Sequence, residues 1–180
     1  MTNQLTILRA ADTAARWHVA QRRKGTTAEP YVNHLIEVAH LVAAAGGEPD
    51  TIVAAFLHDA IEDQNIPAAV IAAEFGADVA AIVLEVTDDK SLPKETRKAE
   101  QVLTAAHKSK PAKLVKLADK IANVRSVTRD PPEGWSVERR RAYVTWSGEV
   151  VAGLQGASPF LEAEFATAVA TFWEASGRLT

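Results

Sequence analysis

Apolar residues recur at helical spacing along almost the whole chain, and Gly and Pro clusters cut that pattern into separate pieces. Gln4 to Gln21 sets Leu5, Leu8, Ala11, Ala15 and Val19 near one helix face, and the basic loop "RRKGTTAEP" follows, broken by Gly25 and Pro30. Val32 to Ala45 reads as a second helix, stopped by Gly46-Gly47. Asp50 or Thr51 suits the cap of a third helix reaching about Gln64, and Pro67 suits the first turn of a fourth that ends near Gly76. The "AIVLEV" core of Ala77 to Thr87 fits strand or helix; its alanine-rich flanks and helical neighbours favour helix. Further helices are expected from near Pro93, from Pro111 to Val127, from Ser136 to about Gln155 and from Pro159 to Ser176, separated by the "RDPPEGW" break and short loops. Neither an internal repeat nor a long linker divides the chain. The expectation is an all-α fold, one compact domain over residues 1–180.

A chain of 180 residues buries enough surface for a core without staples. The formal net charge of −3 lacks the basic excess of a nucleic-acid binder, although Arg22-Arg23-Lys24 and Arg139-Arg140-Arg141 are local basic clusters. No cysteine is present, so disulfides and thiolate metal sites are excluded and any metal must use His and carboxylates. The N-terminus has no basic segment leading into an apolar core, and no apolar run is long enough to span a bilayer. A cytoplasmic protein with no nucleic-acid or membrane partner is expected; monomer and homodimer both stay open.

Against this background the stretch "FLHDAIEDQ", Phe56 to Gln64, stands out. With about 100° per residue and His58 at zero, Glu62 falls near 40°, Asp59 near 100° and Asp63 near 140°. The same sector holds Ala55 and Ile52 one or two turns earlier, and the other side carries Val53, Leu57 and Ile61. A helix apolar on nearly all sides is a buried helix, and this one carries a single charged patch. Buried carboxylates need partners or a cation. Two other apolar helices offer the missing ligands: His34 in "YVNHLIEVAHLV" and Asp119 in "KLVKLADKIANV". Two imidazoles and two carboxylates suit Mn, Fe or Zn and leave room for water.

Taken singly, each residue has an ordinary reading. His18, His40 and His107 read as satisfied core histidines. Asp119 alone reads as a helix carboxylate paired to Lys116 or Lys120. The runs Glu138–Arg141 and Asp88–Lys90 read as solvated surface. The combination of one charged sector with a histidine upstream and an aspartate downstream is what points to a metal.

The order His…His-Asp…Asp resembles that of HD-domain metal-dependent phosphohydrolases. The longer strings "RRKGTTAEPYVNHLIEVA", "AAFLHDAIEDQ", "EVTDDKSLPKETRK", "AKLVKLADKIANVRSV" and "PPEGWSVERRRAYVTWSGEVVAGLQG" are similar to the small alarmone hydrolases, free-standing relatives of the hydrolase half of RelA/SpoT proteins that include the metazoan SpoT homologue. The resemblance covers nearly the whole chain and implies a hydrolase alone, with an all-helical HD-domain fold. It implies Mn²⁺ as cofactor, with Fe²⁺ or Zn²⁺ as alternatives, and a guanine nucleotide, (p)ppGpp, losing its 3′-pyrophosphate. By the same resemblance His34, His58, Asp59 and Asp119 are metal ligands. Glu62 and Asp63 are the pair that serves the attacking water, and which of them is the base stays open. Arg23, Lys24, Lys94, Asn123 and Tyr143 contact substrate. Lys94 and Arg97 fall in a charged loop after Thr87 that closes over the phosphates. The chain departs from the family at Leu35, commonly proline, and at Ala60-Ile61, usually Thr-Val; neither changes a chemical group. A phosphatase acting on the 2′-phosphate of NADPH, or on another nucleotide, is the alternative activity on this scaffold. A non-catalytic alarmone sensor is the third reading.

Overall fold

The structure, a computed structural model, describes residues 3–177, and it is helical throughout. Ten α-helices follow one another: α1 Asn3–Trp17, α2 Val32–Ala44, α3 Pro49–Leu57, α4 Ala60–Gln64, α5 Ala68–Phe75, α6 Ala77–Val86, α7 Lys94–Thr104, α8 Lys110–Arg129, α9 Val137–Ala152 and α10 Pro159–Gly177. A short 3₁₀ turn, Ala105–His107, links α7 to α8. Among the described residues extended pairing is limited to two isolated bridges, Arg22 with Pro30 and Gly25 with Pro132. The "AIVLEV" segment is helix.

Helix α8 is the central element. It packs against α2, α3, α6, α9 and α10. Ser109 caps its first turn, accepting from the Ala112 amide at 3.3 Å. Its buried residues, among them Leu114, Leu117, Ala118, Ile121 and Val124, lie on every side of the cylinder, as expected for a helix enclosed by others. Leu35 and Val42 of α2, Val53 and Leu57 of α3, and Leu161 and Phe172 of α10 complete the same core.

The structure corrects several boundaries. The first helix stops at Trp17, four residues short of Gln21, and His18–Ala20 form a turn. The third helix starts at Pro49, with Glu48 at the N-cap position and no side-chain capping hydrogen bond, so neither Asp50 nor Thr51 caps it. It does not run unbroken to Gln64: α3 ends at Leu57, Asp59 adopts φ −98° and ψ 0°, and α4 begins at Ala60. The reason lies in the side chains. Neighbouring positions on an ideal helix diverge by about 100°, and the break lets His58 and Asp59 face one centre. Lys94 and Arg97 are on α7 rather than in the preceding loop, because Pro93 already stands at the helix entrance and its carbonyl accepts from the Arg97 amide at 3.0 Å. Gly46, with φ +75°, ends α2 as expected: the Gly47 amide turns back to donate to the Val42 carbonyl at 2.9 Å.

Candidate metal and phosphoryl-transfer site

Three places in the fold bring the candidate metal ligands to one point. His34 comes from the first turn of α2, His58 and Asp59 from the α3–α4 junction, and Asp119 from the middle of α8. Nε2 of His58 lies 3.0 Å from Asp59 Oδ2 and 3.8 Å from Asp119 Oδ1. Nε2 of His34 lies 3.7 Å and 3.3 Å from the same two oxygens. One ligand atom each of His34, His58 and Asp59 falls within a 4.8 Å cluster. Both imidazoles are buried. His58 Nδ1 donates to the Ala55 carbonyl at 2.8 Å, which fixes the tautomer and turns Nε2 inward. That inward nitrogen is buried and meets the two carboxylates without a well-aligned hydrogen bond. A buried imidazole nitrogen facing two carboxylates in this way is the donor arrangement a divalent cation completes. Tyr31 fixes the Asp59 carboxylate by donating to Oδ2 at 2.6 Å.

The electrostatics agree with this geometry. Burial opposes ionisation of Asp59, but the His58 imidazolium outweighs it and holds the carboxyl below the usual carboxylate range. Burial likewise opposes charge on Asp119, and its contacts with His34 and His58 push it well below that range. Burial depresses His34. It works against His58 too, yet Asp59 and Asp119 prevail and raise that imidazole to about 10.

The Glu62–Asp63 pair sits on α4, and its two members differ. Asp63 is held at both oxygens: Oδ2 accepts from Gln21 Nε2 at 2.8 Å and Oδ1 from Lys90 Nζ at 2.7 Å. Glu62 accepts the Asp88 amide at 3.2 Å through Oε2, and its Oε1 lies 3.8 Å from Arg97. Burial first, then the charges of Asp88 and Asp59, raises the Glu62 carboxyl above its ordinary value.

His58, Asp59, Glu62, Asp63 and Asp119 line a cleft of about 880 Å³. Arg23, Lys24, Lys94, Asn123 and Tyr143 all border it. Arg23 donates to Asn123 Oδ1 at 2.9 Å and lies over the Tyr31 ring, while Asn123 Nδ2 donates to Asp119 Oδ1 at 2.6 Å. The loop bearing Arg23 and Lys24 is tied down by Asp130, which accepts from the amides and hydroxyls of Thr26 and Thr27. Tyr143 stands between Trp135 and Trp146, and burial pushes its hydroxyl pKa up.

Other residues at the site carry little sequence signal. Asp88 is not plain surface: Gln101 donates to its carboxylate at 2.5 Å and Lys116 lies 3.7 Å away. Lys116 and Lys120 are buried on α8 against the cleft, and burial, with the charge of Lys116, lowers Lys120 to about 8. Two lysines in an otherwise apolar run were the available clue. His40 and His107 are exposed rather than core. His18 is buried and stacks on Tyr31.

Residues 10–147 match the HD domain family. The chain belongs to that family. This HD domain is 51% identical over 158 residues, 87% of its length and 88% of the relative's, to the Xenopus tropicalis protein named guanosine-3′,5′-bis(diphosphate) 3′-pyrophosphohydrolase MESH1. It is 49% identical over the same shares to the Homo sapiens protein of that name. Among solved structures, one described as a metazoan ortholog of SpoT that hydrolyzes ppGpp matches with a TM-score of 0.87 and 39% identity, covering 91% of this chain and 93% of the other. Among the described residues no helix is long and apolar enough to cross a membrane.

Proposed function

We infer that this HD domain hydrolyses guanosine 3′,5′-bis(diphosphate), releasing pyrophosphate from the 3′ position and leaving GDP, with Mn²⁺ as the cation and residues 1–180 acting as one domain. The observation that carries the reading is the 51% identity, over most of both chains, to a relative named for that reaction. The geometry supports it, since a two-histidine, two-aspartate cage lies on the wall of a basic cleft large enough for a nucleotide.

In the reaction, water attacks the phosphorus bonded to the 3′ oxygen, the P–O bond to the ribose breaks, and the 3′ oxygen leaves as a hydroxyl. His34, His58, Asp59 and Asp119 would hold a divalent cation, which neutralises phosphoryl charge and acidifies the attacking water. Glu62 is the general base. Its carboxyl is raised above its ordinary value, which makes the carboxylate a stronger base, and no side chain hydrogen-bonds to it. Asp63 is pinned at both oxygens and serves as an orienting acceptor. Arg23 and Lys24 meet the nucleotide from the α1–α2 loop, the guanidinium forking onto phosphate or stacking on the base. Asn123 and Tyr143 contact it from α8 and α9, and Lys94 from the start of α7.

The test is release of pyrophosphate and phosphate from a nucleotide panel containing ppGpp, pppGpp and NADPH. It is run with added Mn²⁺, Fe²⁺ or Zn²⁺ and repeated after chelation. Pyrophosphate from ppGpp, lost on chelation and restored best by Mn²⁺, is the expected result. Higher catalytic efficiency on NADPH would replace the assignment.

A further inference from the structure

Lys120 lies deep in the cleft wall, only 3% exposed, one residue after the metal-ligating Asp119 and on the same central helix. Its neighbour one turn back, Lys116, is almost as buried, but its ammonium is satisfied: it donates to the Val86 carbonyl at 3.2 Å and lies 3.7 Å from Asp88. Lys120 has no such acceptor. Its Nζ stands 4.3 Å from the centre of the Trp146 ring and 3.7 Å from Asp119 Oδ2, beyond hydrogen-bond reach. An ammonium on the cleft wall has three donors to satisfy, and an indole face satisfies none of them fully.

A second cation shares that indole. Lys98 Nζ, from α7, stands 5.0 Å from the same ring centre and also borders the cleft. The indole is fixed in place, because Trp146 Nε1 donates to the Lys98 carbonyl at 3.1 Å. Two ammonium groups held against one ring, with Lys116 one turn from Lys120, make this wall of the cleft cationic, and an anion bound there offsets the repulsion. One end of this arrangement touches Asp119, whose other oxygen faces His34 and His58. The anion expected there is therefore a phosphoryl group next to the metal cage, with Lys98 available to the group beyond it.

We propose that Lys120 is a catalytic residue that donates to the phosphoryl group under attack, and that Lys98, against the same Trp146 indole, receives the outer phosphate of the departing diphosphate. The proposal rests on the phosphohydrolase reading, and it assigns a diphosphate subsite to two residues outside the metal cage.

The probe is inorganic pyrophosphate, titrated into the full chain loaded with Mn²⁺, alongside Mn²⁺ affinity and melting temperature. Lys120→Met should weaken pyrophosphate binding by about 10- to 100-fold, the loss of one charge-assisted hydrogen bond, with Mn²⁺ affinity kept within a few-fold. Lys98→Met should weaken it less, and Lys120→Arg should retain most of it. In turnover, Lys120→Met should lose kcat by a similar factor. Unchanged pyrophosphate affinity in Lys120→Met, with a lower melting temperature or Mn²⁺ affinity, would make Lys120 a structural brace and overturn the proposal. Should Lys120→Met not fold, full pyrophosphate affinity in Lys98→Met together with a 10-fold or greater loss in Lys120→Arg would overturn it as well. A wild-type chain that binds pyrophosphate through Lys120 but leaves ppGpp intact would remove the assigned substrate and leave the subsite standing.

Discussion

Gln21 Nε2 donates to Asp63 Oδ2 at 2.8 Å, joining the loop after α1 to the Glu62–Asp63 pair on α4. The amide is itself held: Gln21 Oε1 accepts from His18 Nδ1 at 2.6 Å and from Gln64 Nε2 at 2.5 Å. The Gln21 carbonyl accepts the Tyr31 amide at 3.1 Å, so the same residue anchors both ends of the loop that carries Arg23 and Lys24. Gln21 thus positions Asp63 from the rim of the cleft. Gln21→Ala should lower kcat about 10-fold, the effect of freeing one hydrogen bond to a charged group, with KM within about 2- to 3-fold. Steady-state kinetics check this. An equal rise in KM with unchanged kcat would place Gln21 in binding instead.

The loop itself gives a second expectation. Asp130 accepts from Thr26 and Thr27, and a Cβ added at Gly25 would come within 2.1 Å of its Oδ2. Both Asp130→Ala and Gly25→Ala should displace Arg23 and Lys24, raising KM about 10-fold and leaving Mn²⁺ affinity alone. The Thr27 and Thr26 hydrogen bonds hold the Asp130 carboxyl down to about 2. Its folded value is depressed, so the clasp is intact above the ordinary 3.8 and is lost as pH falls through about 2. Calorimetric Mn²⁺ titration beside nucleotide kinetics separates the two effects.

Protonation of His58 sets a third. With its carboxylate neighbours the metal-free imidazole is raised to about 10 from an ordinary 6.5. A raised histidine stabilises the fold fully below pH 6.5, and the contribution is lost as pH rises through about 10. A metal needs the neutral ring, so its affinity should climb with pH over that window, with about one proton released per ion near pH 7.5. His34, lowered by burial, should release none. Titration calorimetry in two buffers of different ionisation enthalpy counts the protons, and a count of zero would contradict the assignment of His58.

The helices were legible because apolar spacing and Gly or Pro breakers act locally. Ser136 does cap α9, accepting from the Arg139 amide at 3.3 Å, and Gly46 does end α2. The metal-ligand candidates were legible because His34, His58, Asp59 and Asp119 break apolar helices, and the structure brings all four together. The break at Asp59 was not, since no proline or glycine marks it and its cause is the shared centre rather than the local sequence. Nor was the difference between Glu62 and Asp63, which is set by Gln21, Asp88 and Lys90 from distant segments. Lys120 stayed hidden for a similar reason: the Trp146 ring it meets comes from α9, and Lys98, which meets the same ring, from α7.

The central claim is that a metal held by His34, His58, Asp59 and Asp119 drives removal of the 3′-pyrophosphate. The most direct measurement is pyrophosphate release from ppGpp by wild type and Asp59→Ala, each chelated and then resupplied with Mn²⁺. Wild type should lose activity on chelation and recover it with Mn²⁺, while Asp59→Ala, still folded by circular dichroism, stays at least about 1,000-fold lower throughout, as expected when a metal-activated step is lost. Full pyrophosphate release by chelated Asp59→Ala would contradict the account.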